Sequence, residues 1–275
     1  MKTYEFGDKN KPVILLLPGT CCHWKATFGE VVPLLERSFY VVCASYDGFD
    51  ETEDTVFPSM TEETERIEAY IQERFDGKIC CAYGCSLGGS FVGLLVQRGE
   101  THIDHGILGS SDLDQSSSLA ANFKAHLMAP ILQGMLQKGK LPNWMNRWVE
   151  KRPPEERVYF DKMLSMFGMG TKRMAFVKRE SIYNQFYSDL VTPLDDKIHA
   201  DGTIIHCFYA TKMGEQYETR YRQHFADPDV IHHDLQHEEL LVCYPQKWVC
   251  EVENCCGILT GELSNRQRGW NRPDL

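Results

Sequence analysis

A serine flanked by two glycines is the first feature of the sequence that could do chemistry. Gly84, Ser86 and Gly88 follow the pattern Gly-x-Ser-x-Gly. Apolar residues 79–83 precede the pattern and helix-like residues 87–97 follow it, which predicts a strand-to-helix turn in which glycines leave room for a tight backbone. The start of the following helix also favours negative charge beside the hydroxyl. Ser86 is therefore the predicted nucleophile for acyl transfer, and the alternative is a glycine-rich helix start with a structural role.

A serine is a weak nucleophile at neutral pH unless a base lies within hydrogen-bond reach. The chain has 10 histidines, and the base is expected in the loop after the last strand, later in the chain than the serine. Residues 230–234 give the last strand signal, and His237 lies in the loop after them. His237 is therefore the predicted base, with a surface histidine that caps a helix as the alternative.

A third group, a carboxylate, is needed to orient the imidazole of the base. It is expected after the strand predicted over residues 203–210, where Glu215 is the first acid. Glu215 is the predicted triad acid, although an acid at this place would also suit the start of a helix. Asp112, just after the preceding strand, is the alternative.

Acyl transfer also requires hydrogen-bond donors that face the developing oxyanion. One predicted donor is the backbone N–H of Leu87, the residue after the nucleophile. The other is the N–H of Thr20 in the first strand–helix loop, or that of Cys21 if the turn is offset by one residue. His23 and Trp24 follow in the same loop and are expected at the mouth of the pocket, with the alternative that Trp24 opens a buried helix.

The elements that must position these groups alternate between strand and helix in two parts of the chain. Short apolar strands separated by helices predict an α/β fold with a mostly parallel sheet flanked by helices. Residues 116–197 between the two parts carry helix signals alone, including apolar residues at every fourth position: Leu119, Phe123, Leu127, Ile131 and Met135. The predicted organisation is a core of residues 1–115 and 198–256, a helical insertion of residues 116–197, and a C-terminal tail of residues 257–275.

Composition excludes several classes of protein. The chain has 275 residues and a formal net charge of −10, which argues against non-specific binding to nucleic acid or to anionic membranes. Its 11 cysteines form no Cys-x-x-Cys pair, and the first apolar run, residues 13–17, is too short for a signal peptide or a membrane helix. We therefore expect reduced cysteines in a cytoplasmic protein.

Taken together, these residues resemble the α/β-hydrolase superfamily. The resemblance covers roughly residues 11–254 and is carried by Pro18-Gly19-Thr20, Gly84-Cys85-Ser86-Leu87-Gly88 and His237. It implies Ser86 as nucleophile, His237 as base, Thr20 and Leu87 as oxyanion donors, and residues 116–197 as the variable lid. The sequence departs from the family in its reduced first strands, in Pro18 where many members have histidine, and in Met213 where a carboxylate often lies.

The expected function is a lidded serine hydrolase that cleaves an ester, thioester or amide through an acyl-enzyme. A carboxylesterase is favoured over a peptidase, because nothing in the sequence marks recognition of a peptide amine terminus. Seven of the chain's ten methionines lie in the insertion, which suggests a pocket for a small apolar acyl group, with a methionine-filled helical core as the alternative. No metal or organic cofactor is required, and we expect a small-molecule substrate with no nucleic-acid or membrane partner. The alternatives are a non-catalytic ligand-binding module, and an acyltransferase or peptidase of the same fold.

Overall fold

One sheet of seven strands runs through the computed structural model, which describes residues 1–258 apart from the side chain of Glu155. The strands are β1 (Lys2–Phe6), β2 (Val13–Leu17), β3 (Tyr40–Ser45), β4 (Lys78–Cys85), β5 (His102–Gly109), β6 (Ile204–Ala210) and β7 (Asp229–His233). Their order in the sheet is β1-β3-β2-β4-β5-β6-β7. β1 is antiparallel to β3, and all other neighbours are parallel, which confirms the predicted α/β class.

Helices cover both faces of the sheet and bury its apolar strands. Those of the core are α1 (Trp24–Phe28), α2 (Val32–Leu35), α3 (Met60–Phe75), α4 (Leu87–Arg98), α9 (Glu215–His224), α10 (Glu239–Cys243) and α11 (Pro245–Cys255). Every residue of β3 is buried, and β2 is buried after its first residue. Such strands read as continuous apolar runs because helices pack against both of their faces.

Four further helices lie between β5 and β6, where the sequence predicts the insertion. They are α5 (Ser118–Lys138), α6 (Asn143–Glu150), α7 (Pro154–Met166) and α8 (Arg179–Val191). None of the helices within residues 1–258 is both long and apolar enough to cross a membrane. The predicted tail, residues 257–275, lies outside the described residues from residue 259 onward.

The helix α5 has an unusual arrangement of its apolar residues. Its buried side carries small residues spaced by four, Ala121, Ala125 and Ala129, and α8 packs against this helix. Four of its large apolar residues lie on the solvent side, Leu119, Phe123, Leu127 and Ile131, whereas Met135 and Leu136 near its C-terminal end are buried. A surface helix normally turns its large apolar residues toward the core. Over residues 119–131, α5 instead turns its small residues toward the core and four large apolar residues toward solvent.

Candidate functional site

The turn between β4 and α4 holds Ser86 in a strained conformation. Its backbone has φ 50° and ψ −113°, a region that non-glycine residues rarely occupy. The flanking glycines are required by close packing. A Cβ on Gly84 would lie 2.1 Å from the carbonyl carbon of Gly88, and a Cβ on Gly88 would lie 2.2 Å from the carbonyl oxygen of Leu17. The structure therefore has the tight strand-to-helix turn that the sequence predicts.

Backbone strain is concentrated around this turn. Seven non-glycine residues among those described have positive φ, and five of them lie in loops at the carboxyl ends of β2, β4, β5 and β7: Cys21, Ser86, Ser110, Leu113 and Glu238. Strained backbone persists where the surroundings enforce it and is common at functional sites. In parallel α/β sheets, the carboxyl ends of the strands are also where ligands bind. This edge of the sheet is therefore the candidate site.

Two backbone N–H groups beside Ser86 are free to receive an anion. Among the described residues, the N–H groups of Thr20 and Leu87 have no hydrogen-bond acceptor. The loop after β2 lies directly against the turn, because a Cβ on Gly19 would be 3.5 Å from the Cβ of Ser86. By contrast, the N–H of Cys21 donates to Oε1 of Gln185 at 2.8 Å. The offset alternative that would use Cys21 as an oxyanion donor has its donor already engaged.

His237 lies in the loop after β7, partly buried, next to the loop that follows β5. Burial lowers the pKa of its imidazole, while the carboxylate of Asp112 and the carbonyl of Ser110 act in the opposite direction. Tyr159 of α7 donates a hydrogen bond from its hydroxyl to the carbonyl oxygen of His237 at 2.9 Å. Among the described residues, no hydrogen bond joins the ring to Oγ of Ser86; such catalytic contacts often tighten only when substrate binds.

The two acids considered for the triad differ sharply in their surroundings. Glu215 is exposed at the first residue of α9, and within residues 1–258 its carboxylate makes no hydrogen bond or ion pair. Asp112 is partly buried, and its charge acts on His237. α9 also holds the Asp112 loop in place: Arg220 donates to the carbonyl of Asp112 at 2.7 Å, and Tyr221 to that of Ser111 at 2.5 Å. Of the two acids, Asp112 is the one whose charge acts on His237, and within residues 1–258 no hydrogen bond joins the two side chains.

The two residues expected at the pocket mouth are both buried. Trp24 stacks on Tyr4, with ring centroids 4.5 Å apart. The imidazole of His23 accepts a hydrogen bond from the N–H of Lys25, and its Nε2 lies 2.6 Å from Glu51. His23, Glu51 and Asp50 bring ligand atoms within 4.8 Å of one another. Both ring nitrogens of His23 already have protein partners, so this group serves the fold.

Solved structures resemble this chain over more than nine-tenths of its length. A protein from Desulfitobacterium hafniense that is assigned to the α/β hydrolase family matches with a TM-score of 0.72 at 17% identity, over 92% of this chain and 99% of that one. A hydrolase from Pseudomonas aeruginosa PA01 matches with a TM-score of 0.69 at 15% identity, covering 93% of each chain. The enol-lactonase from Burkholderia xenovorans LB400 matches with a TM-score of 0.62 at 15% identity, over 93% of this chain and 96% of its own.

The chain has the α/β-hydrolase fold. These likenesses, together with the sheet order, confirm the resemblance drawn from the sequence at the level of fold. No protein-family model and no curated protein sequence matches the chain.

In the α/β-hydrolase fold of this chain, a buried carboxyl group that the sequence pattern does not reveal lies beneath the nucleophile. Glu238, with φ 55°, turns inward beneath the nucleophile. Its Oε1 accepts the N–H of Ser86 at 2.8 Å, and its Oε2 accepts the hydroxyl of Tyr83 at 3.0 Å. Burial raises the pKa of Glu238 to about 8, against the opposing effect of hydrogen bonds from Ser86, Tyr83 and Cys85.

Glu238 therefore connects the loop of the predicted base to the backbone of the predicted nucleophile. In the sequence it is one of two consecutive acids after His237, and these read as ordinary loop residues. Nothing in the pattern marks which of the two points inward. Glu239 instead accepts a hydrogen bond from the N–H of Gln236 at 2.7 Å, at the start of α10.

Proposed function

We propose that the chain is a serine hydrolase that cleaves a carboxylic ester through an acyl-enzyme on Ser86. The observation that carries this proposal is the strained turn of Ser86 with two unengaged N–H groups beside it, from Thr20 and Leu87. A turn of this kind exposes a nucleophile at the helix start, and the two donors suit the negative oxygen of a tetrahedral intermediate. The solved structures of similar fold include hydrolases, carboxylesterases and lactonases, which supports hydrolysis as the reaction class.

In the proposed reaction, His237 removes the proton of Ser86 as Oγ attacks the carbonyl carbon of the ester. The oxyanion is stabilised by the N–H groups of Thr20 and Leu87. His237 then returns the proton to the leaving alcohol and later activates the water that cleaves the acyl-enzyme. The lowered pKa of His237 keeps its imidazole neutral, and so able to accept a proton, at neutral pH.

We propose Asp112 as the acid that orients His237. Its charge reaches the imidazole, and Arg220 and Tyr221 fix the loop that carries it. Glu215 stays a prediction from the sequence, and within the described part of the chain no contact of its carboxylate supports it. A negative charge beside the ring stabilises the imidazolium that forms when Ser86 is deprotonated.

The insertion of helices α5 to α8 is proposed as a lid that shapes the substrate pocket. It reaches both sides of the site: Tyr159 of α7 holds the carbonyl of His237, and Gln185 of α8 holds the N–H of Cys21. Movement of these helices would alter the loops that carry the base and the oxyanion donors. We expect a small apolar acyl group as substrate, and a series of p-nitrophenyl esters of increasing acyl length tests this. Equal rates along the series would contradict it.

A fluorophosphonate probe tests the proposed nucleophile. The wild-type chain should be labelled on Ser86, and Ser86→Ala should abolish the labelling. Ser90→Ala is the matched control, because Ser90 is also partly buried and lies one turn further along the same helix, α4; its labelling should persist. Folded protein that fails to react would instead favour a ligand-binding module without catalysis.

A further inference from the structure

The solvent side of α5 presents a continuous row of large apolar side chains. Leu119 is 85% exposed, Phe123 72%, Leu127 54% and Ile131 38%. Residues at four-residue spacing lie one above another on a helix, so these four form a stripe. Three alanines of the same helix, Ala121, Ala125 and Ala129, take the buried side. Burying apolar side chains away from water is favourable, and this row stays exposed in the folded chain. Exposed apolar patches of this kind mark sites that contact another molecule or a membrane.

The next helix, α6, adds two exposed tryptophans. Trp144 is 69% exposed and Trp148 47%, and α6 contains no buried residue. The guanidinium of Arg152 lies 4.0 Å from the ring centroid of Trp148. Tryptophan is enriched where one end of its ring system meets apolar material and the other meets water. Arginine can lay its apolar stem along the same boundary while its charged end stays in water.

The net charge of this part of the chain, which includes both helices and the residues that join and follow them, is opposite to that of the whole chain. We call residues 118–152 the α5–α6 segment. It contains one acid, Glu150, and six basic residues: Lys124, Lys138, Lys140, Arg147, Lys151 and Arg152. Its net charge is therefore +5 in a chain whose net charge is −10. The acidic residues concentrate elsewhere: residues 47–76 hold eleven acids and two arginines, a net charge of −9.

From this combination we infer that the α5–α6 segment docks on the surface of an anionic lipid bilayer. The apolar stripe and the tryptophans would enter the boundary between headgroups and acyl chains, while the basic residues would meet lipid phosphates. A symmetric pairing of two copies through this segment fits less well, because it would bring two net charges of +5 together. The negative net charge of the whole chain argues against a membrane partner, but the positive net charge of this segment favours contact with an anionic lipid surface.

The proposed docking surface belongs to the insertion that also contacts the site. α8, which packs against α5, supplies Gln185 to the loop of Thr20 and Cys21. Docking of the α5–α6 segment would therefore bring the site close to the lipid surface. Lipid binding is nevertheless measured without any substrate, so its failure and the failure of the proposed hydrolase are separate results.

Co-sedimentation of the full chain with lipid vesicles tests the inference. Phosphatidylcholine vesicles with and without phosphatidylglycerol are compared at low and at high salt. We expect partition onto the anionic vesicles, with weaker binding at high salt because ions screen the basic residues. Binding should also shift the fluorescence of the exposed tryptophans of α6 to shorter wavelengths.

Variants at exposed positions separate the apolar contribution to lipid binding from the electrostatic contribution without disturbing the core. Phe123→Ser removes one apolar anchor, and Lys140→Glu reverses one charge; each should lower the partition coefficient about tenfold or more. Ile204→Ser is the control for the apolar change, since Ile204 is 49% exposed at the start of β6. Lys9→Glu is the control for the charge reversal, from an exposed residue outside the α5–α6 segment. Both controls should bind as the wild type does.

Three results would overturn the inference. The first is no partition onto anionic vesicles at low salt. The second is binding that neither Phe123→Ser nor Lys140→Glu weakens. The third is a stable dimer in lipid-free solution that Phe123→Ser converts to a monomer, which would make the stripe a contact between two copies.

Discussion

Replacing the buried Glu238 by glutamine should change how the stability of the protein depends on pH. Its pKa is raised by burial to about 8, from 4.5 for the free side chain. Between these two values the unfolded chain ionises the group while the folded chain keeps it protonated. The folded state therefore holds more protons in this range, and stability falls as pH rises from about 4.5 to about 8. Glutamine is neutral throughout and keeps an oxygen for the N–H of Ser86.

The size of the effect follows from the shift. Each pKa unit corresponds to about 1.4 kcal/mol, so a group that titrates in this window lowers the free energy of unfolding by about 1.4 kcal/mol for each pH unit. Between pH 5 and pH 7.5 the wild type should lose about 3 kcal/mol through Glu238 alone. Glu238→Gln should lose none of it. The other titrating groups are common to both proteins and cancel in the difference.

Urea unfolding of the wild type and of Glu238→Gln at several pH values between 5 and 8 measures this difference. Tyr83→Phe is the companion variant: it removes one donor to the carboxylate and keeps the acid, so the loss of stability should persist and extend to higher pH. If the difference between the free energies of unfolding of the wild type and of Glu238→Gln stays constant across this pH range, Glu238 does not titrate as the structure implies.

Three further predictions concern the site. Asp112→Asn should lower kcat for p-nitrophenyl ester hydrolysis by a factor of about 10² to 10⁴, because the imidazole loses its orienting charge. Glu215→Gln should leave kcat near the wild-type value, and the reverse result would make Glu215 the acid. The pKa read from the acid limb of kcat/KM against pH should lie below about 6.5, the ordinary value for histidine, because burial lowers the pKa of His237 and the base acts when neutral. In Asp112→Asn this pKa should be lower still. A pKa above about 6.5 for the wild type would exclude His237 as the base. Gly88→Ala should destabilise the fold by about 1–3 kcal/mol or more in urea unfolding, because its Cβ would meet the backbone of Leu17, and unchanged stability would mean that the turn can relax.

Much of the fold could be predicted because apolar runs and helical periodicity report burial directly. Apolar residues at helical spacing predict a helix over residues 60–75, and this is the range of α3. Apolar runs predict strands at residues 78–83 and 203–210, and β4 and β6 lie within two residues of these bounds. The apolar spacing of residues 24–37 predicts a single helix, but the structure divides this range into α1 and α2. Pro33 lies in the first turn of α2, and its missing N–H cannot continue a helix from the preceding turn.

The direction in which a helix face or a side chain points could not be predicted where it depends on residues far away in the sequence. The stripe from Leu119 to Ile131 predicts a helix, but periodicity does not say which of two faces turns inward. The face with Ala121 and Ala125 is buried because small residues let α5 approach α8 closely. The inward turn of Glu238 likewise depends on the N–H of Ser86, 152 residues earlier in the chain.

The two outer strands of the sheet affect how this protein could aggregate. β1 and β7 each have five residues, and each carries charged or titratable side chains: Lys2 and Glu5 on β1, Asp229 and His232 on β7. Short, charged outer strands are poor templates for a further strand from another molecule. Growth of the sheet from one copy to the next is therefore disfavoured at both ends, so aggregates of the folded protein should form through its exposed helices and keep the native sheet, with no gain in β-structure by infrared spectroscopy.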